Sequence, residues 1–415
     1  MTHSDEPGAI ARDRRRPSIV SLSKFMPYST VPHAGGQYVY LHDRALMEFA
    51  DVAHLVPDNP ENRHALTQDT GAPGRTLRGV GPAGDGSFRL LSDLESAWSR
   101  SAIAWPYRRL FQTARGPWES LSAADVIEFH WSEMIALAPL VRERVPGTPL
   151  VGVAHDVITQ RWRRATITAS DPLRRAAYRM AAARSLAGEA RSFAAVDALI
   201  VFSEKDADLA VSLSPKANVQ VVHPGLGPTS PVERRPDPEE PVVLFTGALD
   251  RVDNWKSISW FIERIWPSIV TENPAARLVI AGAKPPASLQ DLVSRTRRAE
   301  LTGFVPSLEP YYAQASVFVA PLLSGAGVKF KTVDAMLRGV PVVATPVGAE
   351  GIGDQSLFAA ITDEPAEFAR AVTAELRSPD VERTRRAVAW SDEVYGSARF
   401  ASRIREVYGA LGRGA

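Results

Sequence analysis

Short β-branched runs alternate with longer helical stretches along this chain, and the alternation stops once and then restarts. Runs with strand character lie at 18–22, 125–129, 150–154, 198–202 and 219–222, with helix-like stretches at 38–50, 93–114 and 172–196. The segment "GLGPTSPVERRPDPEEP", residues 225–241, then carries five prolines and no periodic apolar face, which reads as a linker. Strand character resumes at 242–245, 277–281, 316–320 and 340–344. A strand that alternates with helices is placed in a parallel sheet with right-handed crossovers. Two such blocks imply an α/β chain of two Rossmann-like, doubly wound parallel-sheet domains facing each other across a cleft. Ligands in such sheets bind beyond the carboxyl ends of the strands, so the turns after strands matter most.

Composition narrows the class. At 415 residues the chain is long enough for two domains with their own cores. An apolar fraction of 45% and a charged fraction of 23% are those of a globular protein, and a net charge of +1 gives no global attraction to nucleic acid. No apolar run approaches the roughly 20 residues that span a bilayer. The polar, basic start over residues 1–16 reads as disordered and has no apolar segment behind it to make a secretory signal. Cysteine is absent, which removes disulfides and thiol chemistry. A cytoplasmic enzyme is the expectation.

Two turns carry chemistry. "GAGVKFKTVDAM", residues 325–336, joins a strand to a helix and half-matches a dinucleotide fingerprint, with Phe330 in place of the third glycine. A glycine turn opening a helix can also cradle a phosphate on free backbone N–H groups. "VVLFTGALDRVDNWKSISWF", residues 242–261, runs from a strand through Gly247 into a helix and carries Arg251 and Lys256. If Asp253 or Asn254 caps that helix, both cations reach the sheet mouth and suit a diphosphate. The competing readings are glycines placed for turn geometry alone and two solvated surface cations.

These residues carry a resemblance. The pieces "FTGALDRVDNWKSISWFIERIWP", "LVIAGAKPP", "LTGFVPSLEPYYAQASVFVAPLLSGAGVKFKTVDAMLRGVPVVATPVGAEGI" and "WSDEVY" resemble the donor domain of the retaining nucleotide-sugar glycosyltransferases of family four (glycosyl transferases group 1), which have the two-Rossmann GT-B fold. "HAGGQYVYLHDRALMEFADVAHLVP", "VGVAHDV", "LIVFSEKDA" and "VVHPG" match the first domain more thinly. The resemblance implies domains at 17–228 and 241–395, a linker at 229–240, and a final helix at 396–412 packing back on the first domain. It implies that Arg251 and Lys256 hold the diphosphate, helped by Gly247 and by Gly325, Ala326, Gly327, Val328 and Lys329 of the second glycine turn. Asp334 takes the place of the acid that grips the ribose, and Ala326 stands where the family has a first acid. Phe304, Val305 and Leu308 would lie against the base. Gly35 and Gly36 match a glycine loop near donor and acceptor, and His155 matches the active-site histidine facing the donor sugar.

Glu128, His130 and Glu133 cluster near a strand end; termini of a strand and a helix explain them better than acceptor binding. The arginine-rich helix at 172–196 reads as a solvated face with its alanines packed inward, with contact to an anionic membrane or charged acceptor as the alternative. The resemblance further implies a metal-independent hexosyl transfer with retention, for carbohydrate or glycoconjugate biosynthesis, with a nucleotide-sugar co-substrate and no cofactor. The acceptor would be a small molecule, saccharide or lipid-linked group, with no nucleic acid and at most peripheral membrane contact. A non-catalytic nucleotide-sugar binder and a GT-B epimerase or phosphorylase are the rival readings. A nicotinamide dehydrogenase needs a full glycine fingerprint after its first strand, and "PSIVSLSKFMPYST" lacks it.

Overall fold

A computed structural model describes residues 15–31, 34–79, 105–114, 116–169, 171–226, 233–237, 239–325 and 328–411. It contains two parallel sheets. The first has the order β3-β2-β1-β4-β5-β6-β7, from β1 (Ser18–Leu22), β2 (Asp51–Pro57), β3 (Gly74–Leu77), β4 (Val126–His130), β5 (Leu150–Val153), β6 (Ala198–Val201) and β7 (Val219–Val221). The second has the order β10-β9-β8-β11-β12-β13, from β8 (Val242–Thr246), β9 (Arg277–Ala281), β10 (Ala299–Gly303), β11 (Ala315–Ala320), β12 (Val342–Ala344) and β13 (Ala360–Ile361). This is the GT-B arrangement.

The central strands are buried along their whole length because helices cover both faces, as parallel sheets require. The nine strand runs expected from the sequence all fall on strands. β2, β3, β10 and β13 were not among them; the 38–50 helix expectation ran up to the first residue of β2, whereas the helix spans Ala34–Leu46. The helix expected at 93–114 lies mostly outside the described residues, which are helical over Trp105–Gln112. Residues 1–14 also lie outside them, while Arg16 is tied down, donating to the Ala50 carbonyl at 2.7 Å.

Strand order reverses between β1 and β4 in one sheet and between β8 and β11 in the other. These switch points open a crevice at the carboxyl ends of the strands. The chain passes between the two units at two adjacent places. Leu226 N–H donates to the Tyr395 carbonyl at 2.7 Å, and Gly396 interrupts the helices Val381–Tyr395 and Ser397–Leu411. The last helix lays Phe400, Ile404, Val407 and Tyr408 into the core of the first unit beside Tyr38, Val39 and Ile200. Within the proline-rich segment, Arg235 N–H donates to Ala313 O at 2.8 Å and the Arg234 guanidinium bonds the Gly339 and Ala315 carbonyls, so residues 234–235 are fastened to the second unit.

Candidate active site

The second sheet presents cations at its mouth. β8 ends at Thr246, and Gly247 leads to the helix Val252–Arg264, whose N-cap position is Arg251 rather than Asp253 or Asn254. Asp253 instead accepts from the Ser324 hydroxyl, which ties this helix start to the glycine turn. Asn254 donates to the Ala248 carbonyl at 2.8 Å and accepts from the Lys331 ammonium at 2.7 Å. A Cβ at Gly247 would sit 2.7 Å from the Lys331 Nζ and 3.1 Å from the Asn254 side-chain amide nitrogen, so a side chain there would displace the ammonium. Lys331 was missed by the sequence reading. Its ammonium lies deep in the protein and over the Phe245 ring at 4.6 Å, although part of its side chain stays accessible. Burial, then the neighbouring charges of Arg251 and Lys329, push it down to about 7.

Lys256 is elsewhere. It is exposed, its Nζ is 5.7 Å from the Trp255 ring, and it lines a groove of about 420 Å³ with Ser259, Glu263, Ser288 and Arg295 on the outer face. The structure therefore pairs Arg251 with Lys331, not with Lys256. Lys256 stands five positions after Arg251, which at about 100° per residue carries it roughly 140° round the helix from Arg251.

The second glycine turn touches both units. Ala326 and Gly327 lie outside the described residues. Val328 and Phe330 pack against the core of the first unit, with Phe330 6.2 Å from Phe202. The Gly325 carbonyl accepts from Arg164 of the first unit. Glu350 collects Arg164, Lys205 and Lys329, the last at 3.6 Å. Burial would raise the Glu350 carboxyl, but the bonds from Arg164 and Lys205 outweigh it and hold it at about 2. Lys329 is pushed down to about 8, chiefly by burial.

Asp334 and Leu308 meet at one corner. Arg338 bonds the Asp334 carboxylate at 2.9 Å and also Glu309, the residue after Leu308. Asp334 is thus held by a cation one turn along its own helix. Phe304 is 66% exposed, and Val305 is half-buried.

The first sheet's mouth is of another kind. Gly35 and Gly36 form the first turn of the helix Ala34–Leu46 rather than a loop. A Cβ at Gly35 would lie 3.1 Å from Trp131 and 3.6 Å from the Nδ1 of His155. The two rings stack at 4.2 Å and 15°, with Trp131 held at a φ of 71° that side chains rarely adopt. Behind His155 runs a buried relay. His130 Nδ1 is 3.2 Å from His155 Nε2, and His130 Nε2 is 2.6 Å from Glu128 Oε1. Glu128 also accepts from His42 at 2.7 Å, from Ser21 at 2.9 Å and from the Tyr408 hydroxyl of the final helix.

Burial disfavours the Glu128 charge, yet the His42 and His130 rings hold its carboxyl well below the usual range. An ionised carboxylate only accepts, so His130 carries its proton on Nε2. Burial keeps His130 neutral, so its Nδ1 accepts and the His155 Nε2–H donates. Glu128 and His130, set aside as strand termini, position His155 from behind. Glu133 instead pairs with Lys24 at 3.2 Å.

His42, Glu128 and His130 offer ligand atoms within 4.8 Å of one another. Both rings contact the carboxylate at hydrogen-bond distance, which leaves no room for an ion with bonds of about 2.0–2.2 Å to each. The chain also holds one Asp-x-Asp triplet, Asp206–Ala207–Asp208, a pattern the metal-free expectation overlooked. It lies in the first turns of the helix Glu204–Leu213, where Asp206 is buried and accepts from Ser203 at 2.8 Å while Asp208 faces solvent. Residues two apart on a helix do not face each other, so this pair does not make one site.

The family match falls on the second unit. Residues 240–378 match the family described as Glycosyl transferases group 1. A Klebsiella pneumoniae relative, described as an uncharacterized 44.6 kDa protein in the cps region, is 33% identical over 118 residues, which is 27% of this chain and 30% of that relative. Among solved structures, Anabaena HepE in complex with UDP and glucose superposes with a TM-score of 0.67 at 14% identity, over 95% of this chain and 100% of that one. WaaG, a glycosyltransferase involved in lipopolysaccharide biosynthesis, gives 0.61 at 14% identity, over 96% and 100%. At such identities the structural likeness is one of fold.

Proposed function

We propose, from the match of residues 240–378 to the Glycosyl transferases group 1 family, that this protein moves a sugar from a nucleoside-diphosphate sugar to an acceptor hydroxyl, with retention and without a metal. The observation that carries the reading is the pairing of Arg251 with the enclosed Lys331 ammonium at the mouth of β8, beside two helix starts. Two neighbouring cations and the N–H groups of helix starts suit a diphosphate. The UDP bound in the HepE structure supports a nucleotide donor.

In the proposed reaction the bond between the anomeric carbon and the phosphate oxygen breaks. The acceptor oxygen bonds the same face of that carbon, and its proton passes to the leaving phosphate. Arg251 and Lys331 stabilise the charge that grows on the diphosphate. Asp334 and Leu308 form the corner proposed for the nucleoside. His155, fixed by His130 and Trp131, stands at the opposite wall for the sugar.

The test is incubation with UDP-, GDP-, ADP- and dTDP-sugars with and without EDTA, following nucleotide release and the anomeric signal by NMR. Nucleoside diphosphate released in EDTA, with the sugar's configuration kept, is the expected result. Binding with no turnover makes the protein a nucleotide-sugar binder, and inversion or loss of activity in EDTA overturns the mechanism.

A further inference from the structure

The hairpin formed by the helices Ile158–Thr168 and Pro172–Phe193 is built unlike the rest of the surface. Nine large apolar side chains are exposed among the described residues, and four of them, Ile167, Leu173, Met180 and Leu186, lie on this hairpin. Ile167 and Leu173 flank its tip and are 81% and 82% exposed. Residues 158–187 also hold seven arginines and a single acid, Asp171, which is spent capping the second helix through Leu173 N and Arg174 N. Arg163, Arg174 and Arg179 are exposed and make no ion pair among the described residues. The alanines expected to pack inward do not do so in the first half of the second helix, where Ala176 and Ala177 face solvent.

The hairpin is nonetheless held firmly. Buried Glu189 accepts from Ile158 N, Thr159 N and the Thr159 hydroxyl at its base, and Trp162 stacks on Tyr178 at 5.7 Å between the helices. A fastened stem with an apolar, cationic tip is therefore a property of the fold.

We propose that this tip seats the protein on an anionic lipid surface. Apolar side chains enter the interface while arginines meet the headgroups, the chemistry of a surface-lying amphipathic element. No helix of the described residues is long and apolar enough to cross a membrane, so the contact is peripheral. The placement also aims the cleft: Arg164, one turn before Ile167, reaches the Gly325 carbonyl and Glu350 at the glycine turn. A bilayer on the tip thus lies beside the crevice. If the proposed function holds, the acceptor is lipid-borne.

The test needs no turnover. The full chain is sedimented with vesicles of phosphatidylcholine alone and with about one third phosphatidylglycerol added, at low and high salt. Expected is sedimentation with the anionic vesicles only, weakened by salt. Ile167→Ser with Leu173→Ser, and Arg163→Gln with Arg174→Gln and Arg179→Gln, should each reduce it on the order of tenfold or more. Nucleotide-induced thermal stabilisation should be unchanged in both variants, since none of these residues lies in the donor site; this shows that they are folded. A wild-type protein that stays in the supernatant, binds neutral vesicles equally, or binds as well after either set of substitutions overturns the proposal. So does a tip that instead pairs two copies of the chain, seen as a dimer by analytical ultracentrifugation and abolished by Ile167→Ser with Leu173→Ser.

Discussion

The two sheet mouths face one crevice but solve opposite problems. At the end of β8, Arg251, Lys331 and Lys329 bring positive charge together, and burial, then the charges of the other two, push Lys331 down to about 7. Such a group gains when an anion arrives. At the end of β4, Glu128, His130, His42, Tyr408 and Ser21 satisfy one another completely within the core. That network gains nothing from a ligand and is suited to holding His155 still. One mouth gathers like charges that an anion would relieve and the other is a closed hydrogen-bond network, so substitutions in the two should fail differently.

The largest effect is expected in the complete network. Glu128→Gln puts an amide where four buried donors converge on a carboxylate, and should cost on the order of 3 kcal/mol of stability. Urea unfolding measures this, and a loss below about 1 kcal/mol would mean the network is dispensable. Arg251→Ala should do the reverse. It should leave the fold intact, because the residue is exposed, and lower kcat by on the order of 10²–10³. Steady-state kinetics beside a melting curve separates the two behaviours.

The junction between the mouths offers a smaller, pH-dependent effect. Glu350 is held at about 2, below its ordinary value of 4.5. Its bonds to Arg164 and Lys205 of the first unit should stabilise the protein fully above pH ~4.5, with the benefit fading as pH falls toward 2. The difference in unfolding free energy between wild type and Glu350→Gln should be at most about 3 kcal/mol near neutrality and shrink below pH ~4.5. A difference independent of pH would remove Glu350 from the account.

A gentler test sharpens the cationic side. An anion favours the charged form of Lys331, which sits at about 7, so donor binding should take up a proton above that pH. Donor affinity should then fall as pH rises past 7, by at most about tenfold per unit, and Lys331→Arg should flatten the profile. Calorimetry in buffers of different ionisation enthalpy reads the proton directly.

The contrast also explains what could be read in advance. Strands buried on both faces announce themselves as β-branched runs, and β1 and β9 coincide with their expected ranges. β2 hides because "DVAHLVP" carries Asp51 and His54, the latter buried against Asp43 at 2.8 Å. The relay left a trace: Glu128 and His130 stand two apart in an otherwise apolar strand, and so share a face inside the core. Lys331 left less. Spacing along the helix pointed to Lys256, and only the packing of Gly247 against a second helix reveals which lysine fills the mouth. A contact between segments more than eighty residues apart has no local signature.

The pairing of Arg251 with Lys331 is the central claim, and thermal shift tests it most directly. The nucleoside diphosphate that most raises the Tm of the wild type is titrated into Arg251→Ala, Lys331→Met and Lys256→Ala. The stabilisation, which follows from mass action, should be lost or strongly weakened in the first two and kept within about a degree in the third. Full stabilisation in Lys331→Met together with its loss in Lys256→Ala would contradict the assignment and return the second cation to the outer face of the helix.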